Sequence, residues 1–470
     1  MNMNKFFLSI ISENDGTGFD FECQDQIAFE FMKWGLLSPF MLSFDDKTGA
    51  MQLEEFQQNK EELRKKLQDV TDKIKTHLPK YEEFKCFFEE KIGKDEWFLL
   101  NIDRELTNED ITEIRIALAK LNHPEQKDFY DFVEYTFNQI KGVYELIAYD
   151  PEKPLDFGEK KDEGKVCRYC KEKYPEVTFE KVAHTISEAF GNKAFITNDE
   201  CDACNERFGN TLEPDLLSIF DYERVEHHIK GKGNKEKSKL PGRNYMVEAE
   251  PSGPPTLTIY NKGNDTIEID DNGVITSIKM KMARPPFPAQ NLYRCLVKYA
   301  MGILGSGTLN SLENTRLWLR GEKTVDKLPM VAVHFNAFVR YKPELAVYIR
   351  KEEASPEFPH VLAELKLINR VFVFIIPLSE KDSVDFTNEN NFKKVWDFLN
   401  IYNKVQGWHF WDLSSNESKM QAIKIKIDIP EIITEGSGKF ISDEKLDELE
   451  KKLNVNRVGT IQIKSVESKE

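Results

Sequence analysis

The chain has 470 residues, 40% of them hydrophobic, and a formal net charge of −16 from 65 Lys and Arg against 81 Asp and Glu. Such a length exceeds one ordinary hydrophobic core, so two or three domains are expected, and no run of about 18 apolar residues is present to span a membrane as a helix. The acidic balance excludes a protein coated for nucleic acid by bulk positive charge, while leaving room for a local basic face.

Residues 5–11 suit a first strand. Their apolar patch, FFLSII, lacks the long apolar core and small-residue cleavage site of a signal peptide. Residues 24–37 set Ile27, Phe29, Phe31, Met32 and Trp34 at roughly helical spacing. From 53 to 78, Phe56, Leu63, Leu67, Val70 and Ile74 recur by threes, fours and sevens among Glu and Lys. This pattern predicts one long amphipathic helix closed by Pro79. Its stripe suits packing within its own domain, with a homo-oligomer or partner protein docked on the N-terminal helices as the alternative. Residues 81–92 read as a short helix. Thr107 and Asp110 precede Ile111, Ile114, Leu118 and Leu121 as a capped helix start, with Pro124 as the stop. The aromatic-rich stretch 128–149 reads as a further helix. Residues 1–150 are thus expected to be mostly helical, and the polar, Pro- and Gly-containing stretch 151–165 to be a linker.

The next stretch organises the chain. Two Cys-x-x-Cys pairs, Cys167/Cys170 and Cys201/Cys204, frame His184. Each pair can turn both sulfurs toward one point, and together they supply the four thiolates of a closed structural zinc site. The other cysteines, Cys23, Cys86 and Cys295, are scattered. An odd total without framework spacing argues for a reduced, cytoplasmic protein with a metal site and not for disulfides.

The order CRYC, AHTISEAFGN, ECDACNERFG resembles the zinc-bound, four-cysteine subgroup of the HNH (ββα-metal) endonucleases. The resemblance is confined to residues 167–209. It implies that His184, after the β-like run Val177, Phe179, Val182, ends a strand and acts as general base. It implies that Asn205, directly after Cys204, binds a catalytic Mg²⁺ or Mn²⁺. It also implies a middle Asn that orients the loop, with Asn198 the first candidate and Asn192 the alternate. Hydrolysis of a phosphodiester needs an activated water and a cation for the developing charge, and an imidazole and a divalent metal meet both needs. The chain departs from the pattern at Ala183, where the family often carries a metal ligand; Glu180, Glu188, Asp199 and Glu200 are the nearby carboxylates. The implied activity is metal-dependent cleavage of DNA, in a setting of bacterial restriction or phage defence. A non-catalytic zinc-stabilised nucleic-acid-binding or sensor protein is the alternative.

Residues 212–227 continue as helix. The run 230–243 then carries Lys230, Lys232, Lys235, Lys237, Lys239 and Arg243 against Glu236 alone, a loop suited to phosphates. His227 and His228 beside it read as surface histidines. Residues 245–282 alternate as antiparallel strands around the turns NKGND and DNG. An amphipathic helix is expected over 289–304, strands over 330–341, 344–349 and 362–377, a helix over 391–400 and a strand over 421–428. The charged tail 431–470 holds a helix at 443–453. The expected fold is α+β: a small ββα-metal module, residues 166–243, between the helical N-terminal region and a C-terminal α+β domain, 244–430.

Overall fold

The alternation in KFFLSII becomes β1 (Asn4–Ile11), which buries Phe6, Leu8 and Ile10. In the computed structural model the residues described are 4–45, 50–75, 80–149, 155–161, 164–241, 245–249, 256–261, 267–269, 275–283, 286–399, 402, 405–419, 422–428 and 460–465. They fall into two compact units, one within Met1–Leu146 and Phe398–Lys404, the other within Ile147–Asp397 and Val405–Glu470. Among the described residues no helix is long and apolar enough to cross a membrane.

In the first unit β1 pairs with β2 (Gly16–Cys23). Then come α1 (Gln26–Leu37), β3 (Met41–Asp45), β4 (Ala50–Leu53), β5 (Phe56–Gln58), α2 (Glu61–Ile74), α3 (Lys80–Lys91), β6 (Trp97–Ile102), α4 (Asn108–Asn122) and α5 (Lys127–Val143). The sheet order is β2-β1-β6-β5. This region is therefore mixed α+β and not mostly helical. The helix expected from 53 begins only at Glu61, because Phe56–Gln58 pairs with β6, in the register Phe56↔Leu99. Spacing along the chain cannot reveal a strand partner forty residues away. Leu63, Leu67 and Ile74 are buried in the unit's own core beside Phe84, Phe88 and Phe98, so the α2 stripe packs inside the unit. The capping box of α4 forms as read, with Thr107 Oγ1 accepting from the Asp110 amide at 3.1 Å and Asp110 accepting from the Thr107 amide at 2.9 Å. The helix expected over 128–149 stops at Val143, and β7 (Tyr144–Tyr149) follows.

The second unit opens on β8 (Leu155–Phe157), which pairs in parallel with β9 (Phe195–Thr197). Next are α6 (Asp202–Thr211), α7 (Glu213–Ser218) and α8 (Asp221–Glu226), two short helices where one was expected beyond Leu212. Then come β10 (Lys239–Pro241), β11 (Tyr245–Glu248), β12 (Thr256–Asn261), β13 (Ile267–Ile269), β14 (Ile275–Ala283) and β15 (Phe287–Pro288). They are followed by α9 (Ala289–Met301), α10 (Ser306–Leu309), α11 (Glu313–Leu319), β16 (Val331–Arg350), β17 (Val361–Ile375), α12 (Glu389–Phe398), β18 (Trp408–Trp411), β19 (Ser418–Lys419), β20 (Ala422–Asp428) and β21 (Thr460–Ser465). Sheets run β10-β11-β12-β21, β13-β14-β20 and β17-β16-β18. The strands expected over 330–341 and 344–349 are one long strand with register shifts. Helix α9 keeps the expected amphipathic pattern yet is buried almost all round, in one core cluster with residues of β16 and β17 and with Tyr169 and Phe208 of the central stretch. Pro79, the turns NKGND and DNG, Arg243 and the helix at 443–453 lie largely or wholly outside the described residues.

Candidate active site and metal centre

Two backbone devices gather the sulfurs. The first knuckle is a tight turn, with the Lys171 amide donating to the Cys167 carbonyl at 3.0 Å and the Cys167 amide to the Glu172 carbonyl at 2.9 Å. The second is a helix start: Cys201 is the residue before α6 and Cys204 lies one turn on, so both face the same side. The four sulfurs lie within 4.8 Å of one another, and Cys167, Cys201 and Cys204 are buried. A tetrahedral ion with metal–sulfur bonds of about 2.3 Å sets its sulfurs about 3.8 Å apart. The Cys170–Cys201 separation is 3.7 Å, so the donor set fits such an ion. The Cys201 amide also points at Cys167 Sγ, at 3.5 Å. Hydrogen bonds among the four sulfurs lower the Cys167 pKa and raise those of Cys170, Cys201 and Cys204, so the four groups titrate as one cluster.

His184 stands on a short strand-like segment. The Thr185 amide donates to the Phe195 carbonyl at 3.0 Å and the Thr197 amide to the Ala183 carbonyl at 2.8 Å, so 183–185 runs antiparallel to β9. The expected strand through Val177, Phe179 and Val182 is absent. That backbone is tied to the first turn of α6 instead: Asp202 accepts from the amides of Glu180 and Lys181 at 3.1 and 2.8 Å and from the Thr178 hydroxyl at 2.5 Å. Val182 is consequently exposed. The result is β-β-α, with 183–185, β9 and α6 in that order.

Of the two asparagines, Asn192 makes the loop-closing contacts. It is buried, its Nδ2 donates to the carbonyls of Ile186 at 2.6 Å and Phe195 at 3.2 Å, and its Oδ1 accepts from the amides of Ala194 at 3.1 Å and Phe195 at 3.0 Å. Asn198 has a backbone bond from its amide to the Phe157 carbonyl at 2.7 Å, while its Nδ2 is buried without a partner among the described residues. Asn205 occupies the first turn of α6, half-buried.

Ala183 is buried and offers no ligand. The four nearby carboxylates have separate fates. Asp199 pairs with Arg168 at 2.6 Å, Glu200 is buried against Lys298 at 3.5 Å, and Glu180 is exposed. Glu188 is the one brought to the histidine, its Oε2 3.7 Å from His184 Nε2. Burial lowers the His184 pKa from its ordinary value, Lys298 and Lys193 act in the same direction, and Glu188 and Glu213 oppose them. The imidazole is therefore neutral near pH 7 and able to take a proton. Among the described residues no second group of three His, Cys, Asp or Glu side chains converges on one point.

The basic run lies against this loop. A Cβ on Gly231 would sit 3.3 Å from Ala189, Lys193 Nζ donates to the Gly231 carbonyl at 3.3 Å, and Arg224 Nε donates to the Ala189 carbonyl at 3.1 Å. It is less free than its sequence implied. Lys237 pairs with Asp221, Lys239 with Glu248 at 2.7 Å, and Lys230 stands 4.0 Å from Glu236. Lys232 and Lys235 are exposed. The neighbouring histidines also face acids, His228 on Glu236 at 3.0 Å and His227 on Glu226 at 3.4 Å.

Sequence reasoning missed Lys298. Its ammonium, 1% exposed, donates to the carbonyls of His184 at 3.0 Å and Thr185 at 3.3 Å. The signal was a lysine inside the otherwise apolar run LYRCLVKYAMGIL, where only a paired charge can be buried.

Residues 167–220 match the family model described as HNH endonuclease. No curated protein and no solved structure matches the chain. The β-β-α segment with its four-sulfur centre is an HNH nuclease module, and the activity it carries is that of a metal-dependent endonuclease.

Proposed function

We propose that the chain cleaves DNA by hydrolysis of phosphodiester bonds, with His184 as general base. The observation that carries this reading is the placing of His184 opposite Glu188, on a segment stapled to β9 beside the four-sulfur centre. His184 takes the proton of the attacking water, and Glu188 stabilises the imidazolium that results. Asn192 holds the loop that sets the histidine's direction. Asn198, whose amide group is buried beside the same strand, takes a lesser part. The four cysteines hold zinc, which thiolate ligands in a closed tetrahedral site favour and which fixes α6 relative to the histidine. Asn205, on the first turn of α6, offers its carbonyl oxygen to Mg²⁺ or Mn²⁺; an ion with one protein ligand keeps water and substrate phosphate as its remaining ligands. When bound, that ion supplies charge for the phosphoryl oxygens and the leaving 3′ oxygen. Lys232 and Lys235, with Lys230, Lys237, Lys239 and Arg243 along the same run, hold the DNA backbone leaving the site. A place in restriction or phage defence, in the cytoplasm, rests on the family resemblance alone.

The test is nicking of supercoiled plasmid in Mg²⁺ or Mn²⁺ by the His184→Ala variant. Cleavage should be abolished while folding and bound zinc persist; undiminished cleavage refutes the assignment. The buried Ala183 favours a second reading, a nucleic-acid-binding module without catalysis. Binding with no metal-dependent cleavage of duplex, single-stranded or RNA substrates by the parent protein would select it.

A further inference from the structure

We propose that Lys298, on α9 and outside the matched module, is a positioning residue for His184. Its ammonium grips the carbonyls of the base and of the next residue, and so fixes the segment on which the base stands. The inference rests on the reading of His184 as general base.

A lysine is a costly way to fill a buried position. Apolar side chains of similar volume often replace a buried ion pair without loss of stability, so packing alone does not account for it. Here the charge is fully engaged. Lys298 Nζ donates to the His184 carbonyl at 3.0 Å, the Thr185 carbonyl at 3.3 Å and Glu213 Oε1 at 3.4 Å, and lies 3.5 Å from Glu200 Oε2. Burial alone would lower the pKa of Lys298, but Glu200 and Glu213 outweigh it and keep the group protonated. Three segments therefore meet at one ammonium: the His184 segment, the residue before Cys201, and the first residue of α7.

The seat of α9 is defined by further contacts on the same side. Tyr169 in the first knuckle donates its hydroxyl to the Lys298 carbonyl at 3.0 Å. Arg168 donates to the carbonyls of Met301 and Gly302 at 2.8 and 2.6 Å, so a cation satisfies the free carbonyls at the helix C-terminus. A Cβ on Gly302 would lie 2.4 Å from Thr185 Cγ2, so the end of α9 touches the residue next to the base. A shift of α9 thus moves the His184 carbonyl with it, and a displacement of about 1 Å at a catalytic group costs on the order of a hundredfold in rate.

The experiment uses the full chain and plasmid nicking in Mg²⁺. The double variant Lys298→Met/Glu200→Gln removes the ammonium together with the fully buried carboxyl beside it. Gly302→Ala disturbs the seat with every charge in place, and serves if the double variant does not fold. His184→Ala is the reference for lost chemistry. For the double variant kcat should fall by about tenfold to a hundredfold with KM and bound zinc unchanged. The acid limb of its pH–rate profile should move to higher pH, because an ammonium that lowers the imidazole pKa is gone while Lys193, Glu188 and Glu213 remain around it. Gly302→Ala should lower kcat with zinc retained and the limb in place. Parental kcat and acid limb in the double variant, or parental kcat in Gly302→Ala, would overturn the proposal if His184→Ala is inactive. Loss of activity only in step with loss of zinc would also overturn it, in favour of a purely structural role. An active His184→Ala variant removes the general base itself, a failure recognisable from that variant alone.

Discussion

Replacing Asn192 by Ala should cripple the nuclease more than any other uncharged change in its loop. The side chain is 1% exposed and makes four hydrogen bonds across the turn between the His184 segment and β9. The Phe195 carbonyl would keep its second donor, the Thr185 amide at 3.0 Å. The Ile186 carbonyl and the amides of Ala194 and Phe195 would lose these bonds in a buried setting. At about 1–3 kcal/mol for each buried polar group left unsatisfied, with partial relaxation, the loss is about 3–5 kcal/mol. Compared with a net stability of about 5–15 kcal/mol for a folded domain, that is enough to open the loop locally. Native-state hydrogen exchange at the Thr185 and Thr197 amides, which bridge the His184 segment to β9, reads the effect directly. Their protection should fall, and nicking should fall with it. Asn198→Ala is the contrast: its Nδ2 already lacks a partner among the described residues, so truncation should cost under about 1 kcal/mol. Equal losses for the two variants, or full protection of Thr185 and Thr197 in Asn192→Ala, would refute the assignment of the loop staple to Asn192.

Two further outcomes follow from the charges at the site. A general base works only when neutral, and burial lowers the His184 pKa below its ordinary 6.5 with Lys298 and Lys193 acting the same way against Glu188 and Glu213. Activity should therefore be retained at pH 7 and lost as pH falls through a value below 6.5; an acid limb above that value in the parent profile would count against this environment. Stripping the four-cysteine metal with a chelator, or making Cys201→Ser, should unseat α6 and abolish nicking even in excess Mg²⁺. Circular dichroism and metal analysis should recover together with activity on adding back Zn²⁺, whereas full activity with the cysteines metal-free would refute a structural role for them.

What the sequence disclosed, and what it hid, divides by the range of the interaction. The capping box at Thr107 and Asp110 and the two knuckles are local chemistry, written within a few residues, and they form as read. The run Val177 to Val182 alternated like a strand, yet its Glu180 and Lys181 amides go to Asp202, an acceptor supplied by a helix start twenty residues on. Phe56 fell into a helical repeat that strand pairing with Leu99 overrides. The choice between Asn192 and Asn198 was equally hidden, because both sit in a polar loop and only closure of that loop decides which side chain is enclosed. Lys298 lies more than a hundred residues from the carbonyl it binds, and no local pattern connects them.

The position of α9 bears on how the module gains its stability. A short, loop-rich nuclease motif buries too little apolar surface to stand without help, and the usual remedy is a metal. Here the four-cysteine centre is one of two supports. Cys167, Cys201, Cys204 and Phe208 belong to the same buried cluster as Tyr293, Trp318, Leu345 and Phe372, so the core of the module continues into α9, α11 and the β16–β17 sheet. The four sulfurs fix α6 from one side, while Arg168, Tyr169 and Lys298 join the first knuckle and the His184 segment to α9. A disturbance of the β16–β17 sheet or of α9 has a short mechanical route to His184 through that ammonium.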